Sequence, residues 1–523
     1  MKKDTSHTIK RAQRFPVILI GEGLLVGAVG GLIVLLYRVA LTYAGIWLEY
    51  ILDFVRGNPI RTAGWFLALM LMAFVVGKLV KWEPMISGSG IPQVEGEVTG
   101  KLFQNWKKVL PAKFIGGFLC LFGGLSLGRE GPSIQLGAMT GQGISRLLDR
   151  GKTEEKYLMT CGASAGLAAA FHAPLAGMMF ALEEIHKGFS ISILISVMTA
   201  SVTADFISSY IIGLDPVFQF RLEHVLPQQY YWMLILLGVI LGAMGAFYNW
   251  AMLKAQDLYK KPAFLNETTR LMIAFFAAGV LGLLMPSVLG SGHELIVSLT
   301  DGEMALGLVI LTFFVKFIFS AVSFGSGAPG GIFFPLLILG AMIGGIFAMT
   351  GVQFFGLDPV YINNFVLLAM AGYFTAIVRA PITGIILLFE MSGSVSQMLS
   401  LAIVSVTAYI IATLLKSEPI YESLLDRILK THHKATAVNV KGSSQKVLST
   451  FVIMNGSVLE GKMVQDITWP DNCLLVALER GGKELIPKGK TVLMAGDTLT
   501  TMTDERDAGY VHDKMEKLCY TSF

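Results

Sequence analysis

The chain is 523 residues long, 54% hydrophobic and only 15% charged, well below the ~25% charged residues of ordinary soluble proteins. That balance excludes a soluble globular protein and identifies a polytopic membrane protein, while a net charge of +4 is too small over this length for a nucleic-acid partner. Cys120 and Cys161 fall in apolar segments and Cys473 and Cys519 in a polar tail, so neither a disulfide framework nor zinc-ligand spacing is present, and no metal or cofactor is expected.

Met1 to Arg14 carries five basic residues ahead of an apolar run from Phe15 to Ala40. The run is too long for the core of a signal peptide and no small-residue cleavage site follows it, so it reads as an uncleaved first helix with its basic end in the cytoplasm. Long apolar segments recur to about Leu415, and at ~20 residues per crossing they accommodate roughly ten or more spans.

Several of these segments are interrupted. The first interruption is Gly88-Ser-Gly-Ile-Pro92; the second, Leu127-Gly-Arg-Glu-Gly-Pro-Ser133, sets one carboxylate, Glu130, between two glycines. Because a charge there must leave water, Glu130 reads as a group lining an ion or proton path. Gly128, Gly131 and Pro132 break the regular helix and free backbone N–H groups to face a ligand. A carboxylate merely paired with Arg129 is the plainer alternative, but it leaves the Gly/Pro pattern without a purpose. Gly162-Ala-Ser-Ala-Gly166 fits a nucleophile elbow, with His172 nearby, yet it sits in a small-residue helix rather than a strand-turn-helix, so hydrolysis is not expected.

The second half repeats the first. Val26-Gly-Ala-Val-Gly-Gly31 returns as Leu241-Gly-Ala-Met-Gly-Ala246, Gly88-Ser-Gly90 as Gly290-Ser-Gly292, and Lys113-Phe-Ile as Lys316-Phe-Ile before Gly327-Ala-Pro-Gly-Gly-Ile-Phe-Phe-Pro335. Ala173-Pro174 with Gly177 and Glu183 returns as Ala380-Pro381 with Gly384 and Glu390, all at offsets of 202 to 215 residues. Internal duplication of this kind marks transporter folds whose site lies where broken helices of both repeats meet. The matches alone do not say whether the repeats are inverted.

After Leu415 the chain turns polar and basic, including Lys430-Thr-His-His-Lys434. From about Val447 short β-type runs follow: Val447 to Met454, Cys473 to Glu479, Glu484 to Pro487 and Thr498 to Thr503, with Arg480-Gly-Gly-Lys483 as a hairpin turn. The positive-inside rule places this small domain in the cytoplasm. Gly489-Lys-Thr491 lacks the first glycine of a phosphate loop, position 484 being Glu, and is set aside.

The broken segments, with Tyr421 just past the last span, present uncapped helix N-termini, which suit a small anion. Ser89 and Tyr421 add hydroxyl donors that hold an anion without fixing it by a counter-charge. In their order, Gly88-Ser-Gly-Ile-Pro92, Gly128-Arg-Glu-Gly-Pro132 and Gly330-Gly-Ile-Phe-Phe-Pro335 resemble the three signatures of the CLC family of chloride channels and chloride/proton exchangers, over about residues 15 to 425. The resemblance implies an all-α polytopic membrane fold of two inverted repeats (about 15–215 and 230–425) and a homodimer with one pore per subunit. It further implies a central chloride held by Ser89, Tyr421 and the backbone N–H groups of Ile332 and Phe333, with Gly88 beside them and an outer site at the N–H groups of Arg129, Glu130 and Gly131. Glu130 would be both gate and proton acceptor. Glu184 matches the position that delivers protons from the cytoplasm in exchangers, where channels carry an uncharged residue; the alternative is two solvated carboxylates at a helix end. Glu183 is expected to be structural or relay-supporting, and Glu390 structural. Lys113 and Lys316 are expected either to lend potential to an anion vestibule or to snorkel.

The tail resembles the C-terminal domain of TrkA-type potassium-transport regulators through Gly461-Lys-Met-Val-Gln-Asp-Ile467, Gly481-Gly482, Ile486-Pro487 and Ala495-Gly-Asp-Thr-Leu499. It implies an α+β, β-rich regulatory unit that senses an unidentified small ligand or, equally, serves only in dimerisation. The expected organisation is a cytoplasmic segment at 1–14, a transmembrane domain at 15–429, a linker at 430–446 and the tail domain at 447–523. The whole reads as a chloride/proton antiporter, not an enzyme, spanning a prokaryotic plasma membrane many times with both termini cytoplasmic. A passive chloride channel is the alternative. Ser89 and Tyr421 argue against a fluoride exporter, and no T-V-G-Y-G filter supports potassium uptake.

Overall fold

The computed structural model describes residues 5–213, 224–262, 265–393, 395–436, 446–480, 483–504 and 507–520. Met1 to Asp4, positions 437–445 of the expected linker and the expected turn glycines Gly481 and Gly482 lie outside the described residues.

Among the described residues the membrane body consists of two sets of eight helices that correspond one to one. The first set is α1 (Thr5–Val55), α2 (Pro59–Trp82), α3 (Ile91–Val98), α4 (Trp106–Phe122), α5 (Glu130–Leu147), α6 (Lys152–Phe171), α7 (Pro174–Phe180) and α8 (Ile191–Ile212). The second is α9 (Tyr231–Lys260), α10 (Glu267–Leu284), α11 (His293–Thr300), α12 (Leu306–Gly325), α13 (Phe333–Phe355), α14 (Ile362–Val378), α15 (Pro381–Ser392) and α16 (Met398–Leu414). Even the start signals correspond. The side chains of Asn58 and Asn266 cap α2 and α10, and Pro174 and Pro381 open α7 and α15, where a missing N–H costs nothing.

Reciprocal contacts fix the relation between the two sets. Gly128 and Gly331, equivalent positions, exchange both backbone hydrogen bonds in an antiparallel bridge, at 2.7 and 2.8 Å. The Gly88 N–H donates to the Gly327 carbonyl at 3.3 Å, and with the repeats exchanged the Gly290 N–H donates to that of Gly124 at 3.1 Å. An antiparallel pair on a pseudo-two-fold axis is the signature of inverted repeats.

Among the described residues eight helices, α1, α2, α8, α9, α10, α12, α13 and α14, are long and apolar enough to cross a membrane, and two shorter apolar helices, α15 and α16, accompany them. The remainder are shorter or more polar, which is tolerated where neighbouring helices rather than lipid surround them. In the apolar windows of α13 and α14, 78% of residues are buried, against 33–44% in the other six. The centre is therefore α5, α6, α13 and α14. Small residues bring these helices close: a Cβ on Gly137 would run into the Gly162 carbonyl, and one on Gly166 into that of Ser133. The repeated glycine motif serves the outer crossings, Gly27 against Ala200 and Gly242 against Ile411.

Beyond α16, α17 (Ile420–Thr436) runs through the basic Lys430–Lys434 stretch. The tail folds as β1 (Lys446–Val452), β2 (Cys473–Arg480), β3 (Lys483–Leu485) and β4 (Thr498–Asp504), an antiparallel sheet in the order β1-β4-β2-β3, followed by α18 (Ala508–Cys519). Helix α18 supplies the helical part of the expected α+β unit, whose position was not read from the sequence although Val511, Met515 and Cys519 recur at helical spacing; they join Phe451, Leu478 and Leu499 in the core. Burial pushes the Cys519 thiol up to about 12, which leaves it unreactive at neutral pH. The tail touches the membrane body through an ion pair between Lys101 and Asp513 at 2.7 Å.

One ion pair organises the tail domain. Arg480 makes a two-pronged contact with Asp497 at 2.7 and 2.6 Å, and the same carboxylate accepts the Met494 N–H at 2.8 Å. Asp497 is 1% exposed. Asp497→Ala, which leaves Arg480 without its counter-charge and the Met494 N–H without its acceptor, is expected to destabilise this domain by about 2–3 kcal/mol, read as faster amide exchange in β2 and β4 of the intact protein.

Candidate ion pathway

Three helices begin at one place. The N-cap residues of α3, α5 and α13 are Gly90, Arg129 and Ile332, and none offers a side-chain cap, so the first N–H groups of each helix lack intrahelical partners. The Gly128–Gly331 bridge joins the starts of α5 and α13, and the Gly330 N–H donates to the Gly88 carbonyl at 3.0 Å, bringing in the loop before α3. Gly90 has φ +98°, a left-handed conformation that favours glycine. A Cβ on Gly131 would lie 2.5 Å from the carbonyl and hydroxyl oxygens of Ser89, so glycine there is what lets α5 and the Ser89 loop meet. Three positive dipole ends facing one small volume make it attractive to anions.

The side chains turned into this region are buried and lack polar partners. Glu130 is 0% exposed, and among the described residues neither carboxylate oxygen has a well-formed hydrogen bond. It faces the backbone N–H groups of Arg129, Glu130 and Phe334, in a looser geometry than a hydrogen bond. Among the described residues no ion pair joins Glu130 to Arg129. The hydroxyls of Ser89 and Tyr421 are likewise buried without partners, and Tyr421 lies within electrostatic reach of both Glu130 and Glu184. Unpartnered polar atoms are costly in a core; several around uncapped helix starts point to a ligand. Ile332 and Phe333 are 1% and 0% exposed, the Phe333 ring packing at 4.8 Å from Phe374 and 5.5 Å from Phe171.

The paired lysines do not snorkel. Lys113 and Lys316 are fully buried. Lys113 donates to the carbonyls of Ile86 and Gly88 at 2.9 and 2.7 Å, and Lys316 to those of Val288 and Gly290 at 2.8 and 2.9 Å. Each binds backbone acceptors at its own repeat's Gly-Ser-Gly loop.

Glu183 and its repeat partner Glu390 exchange roles across the pseudo-two-fold. Glu183 accepts from the Thr383 N–H and hydroxyl at 2.9 and 2.7 Å at the start of α15; Glu390 accepts from the N–H groups of Leu175 and Ala176 at 2.9 and 2.7 Å at the start of α7. Both are helix caps. Glu390→Ala should cost about 2 kcal/mol, measured as a lower thermal midpoint of the purified protein.

Glu184 points elsewhere. It lies on a π-helical turn, Ala181–His186, is 5% exposed, and its Oε1 has no partner; π-turns occur often at functional positions. Its charged surroundings are Lys187, Glu95, Glu422 and Glu183, which is not the surface of two solvated carboxylates. Sequence reading missed Glu95, Lys187 and Glu422. The sequence signal for the first was the run of Gln93, Glu95 and Glu97 directly after the Gly88–Pro92 interruption; that all three are buried, an unusual density of polar groups for an interior helix, appears only in the fold.

The elbow motif lies inside α6, and His172 engages Arg38, Asp205 and Ser209 rather than Ser164. An apolar groove of about 270 Å³ lined by Trp232, Met233, Ile343 and Phe347 contains none of the candidate site residues.

The family described as voltage gated chloride channel matches residues 69–413, and the TrkA-C domain matches residues 448–514. The H(+)/Cl(-) exchange transporter ClcA of Vibrio cholerae serotype O1 (strain M66-2) is 34% identical over 446 residues, covering 82% of this chain and 94% of that protein. ClcA of Citrobacter koseri is 30% identical over 443 residues, covering 82% and 92%. Among solved structures, a slow cyanobacterial Cl-/H+ antiporter superposes with a TM-score of 0.75 at 29% identity, over 79% of this chain and 99% of that one. A CLC-type fluoride/proton antiporter, at 22% identity and a TM-score of 0.65 over 77% and 97%, shares the fold. Family match, relatives and inverted-repeat architecture agree, and the chain belongs to the voltage-gated chloride channel family, carrying a TrkA-C domain at its C-terminal end.

Proposed function

We propose that this protein is a secondary-active chloride/proton antiporter in which Glu130 is both gate and proton acceptor. The observation that carries the reading is the Glu130 carboxylate, buried and without a hydrogen-bond partner where the starts of α5 and α13 are joined. As an anion it competes with chloride for the N–H groups there; once protonated it loses that claim and leaves the position to chloride. Ser89, Tyr421 and the N–H groups of Ile332 and Phe333 hold the central ion, with Gly88 shaping the loop. Those of Arg129 and Gly131 contribute the outer position. Glu184 passes protons toward Glu130, a reading supported by the electrostatic reach of Tyr421 to both carboxylates.

The exchangers named above support antiport rather than passive conduction, and Glu184 favours it on chemical grounds. The deciding experiment is the reversal potential of the purified protein in liposomes under opposed chloride and proton gradients. A value responding to both gradients is expected; one following chloride alone would establish a channel. The protein acts in a prokaryotic plasma membrane as a homodimer with cytoplasmic termini. Its TrkA-C domain regulates transport, a role supported by the Lys101–Asp513 contact with the loop after α3.

A further inference from the structure

We infer that Lys187 is a positioning residue that ties the proton-delivering segment to both elements carrying the central hydroxyls, and that it thereby sets how tightly chloride and proton movements are coupled. The inference rests on the antiport reading and adds a residue to it.

Lys187 follows the π-turn that carries Glu184 and closes it in a left-handed conformation, φ +53°, uncommon for a residue with a side chain. From there its ammonium reaches Glu95 on α3 at 2.8 Å and Glu422 on α17 in a still closer contact. The geometry matters because of what each carboxylate adjoins. Ser89 lies just before α3, which is buried along its whole length. Tyr421 is the residue immediately before Glu422. One charge therefore joins three elements: the turn bearing Glu184, the helix after Ser89, and the helix bearing Tyr421. Glu516, on α18 of the tail domain, lies within electrostatic reach of both Lys187 and Lys101.

The two arms differ in strength. Glu95 has a 3% exposed side chain and Glu422 a 49% exposed one, with Lys187 at 24%. The pair with Glu95 is desolvated, and removing one partner leaves an uncompensated buried charge; the pair with Glu422 is a partly screened strut. Without the ammonium, α3 and α17 lose their shared anchor on the Glu184 turn. The separation of Ser89 from Tyr421 is then no longer tied to that turn, and chloride slips past without a proton.

The test compares wild type, Lys187→Gln, Lys187→Arg and Glu422→Gln in liposomes, measuring chloride and proton fluxes from the same vesicles. Lys187→Gln is expected to raise the chloride-to-proton ratio by about threefold or more while chloride still flows, and Lys187→Arg, which keeps the charge, to restore the wild-type ratio. An unchanged ratio in Lys187→Gln overturns the inference, as does a ratio that Lys187→Arg fails to restore. If Lys187→Gln does not fold, Glu422→Gln decides: a raised ratio supports the strut, and a wild-type ratio removes it. Absence of proton coupling in the wild type would instead sink the antiport reading itself, and this inference with it.

Discussion

Glu130→Gln is expected to lower coupled proton flux by about a hundredfold or more while chloride continues to pass. Glutamine keeps the shape and polarity of the side chain but can neither accept a proton nor offer a negative charge to the helix starts. Glu130 is the residue for which this should be most severe, because its buried carboxylate faces three backbone N–H groups at the helix starts and accepts no well-formed hydrogen bond among the described residues. A carboxylate serving only as a structural anchor would instead accept several, as Glu183 and Glu390 do. A second readout follows from the same competition. In wild type, chloride affinity should rise as pH falls, since protonation removes the competing charge. In Glu130→Gln it should be independent of pH. Chloride binding by calorimetry at several pH values, with paired flux measurements in liposomes, tests both parts. Intact proton movement in the variant would dismiss Glu130 as the acceptor.

The parts of this architecture legible in the sequence were those with a local signature. Glycine and proline interrupting apolar runs marked the starts of α3, α5 and α13, and a lone carboxylate between glycines marked Glu130. The recurrence of these marks disclosed the duplication. The pairing between repeats was not legible, because a side chain's partner some 200 residues away leaves no trace in spacing. Glu183 and Glu390 were recognised as equivalent, yet their exchange of caps appears only when α7 and α15 are placed side by side. Lys113 and Lys316 were likewise matched, but a basic residue near a broken helix looks the same whether it snorkels to the interface or binds carbonyls. Burial decides, and burial depends on every helix packed around it. That α5 and α6 do not stand out as apolar spans has the same origin, since they are enclosed by protein and need no lipid-facing apolar surface.

The other large effect expected is at Glu184. Glu184→Gln should leave chloride flux within a few-fold of wild type and reduce proton flux to a small fraction, on the order of a tenth or less. The separation of the two effects follows from position. Glu184 lies within electrostatic reach of Tyr421 but shares no helix start with the anion region, so its loss removes a proton donor without altering the chloride ligands. Glu183, its neighbour, is occupied in capping α15, so it does not substitute. The measurement is the proton uptake driven by an outward chloride gradient, compared in wild type, Glu184→Gln and Glu183→Gln. If Glu184 is the donor, proton uptake collapses in Glu184→Gln while Glu183→Gln loses thermal stability before it loses coupling. Unchanged uptake in Glu184→Gln would move proton entry to another carboxylate of the cluster, and Glu95, buried on α3 and paired with Lys187, is the one whose geometry would then have to carry it.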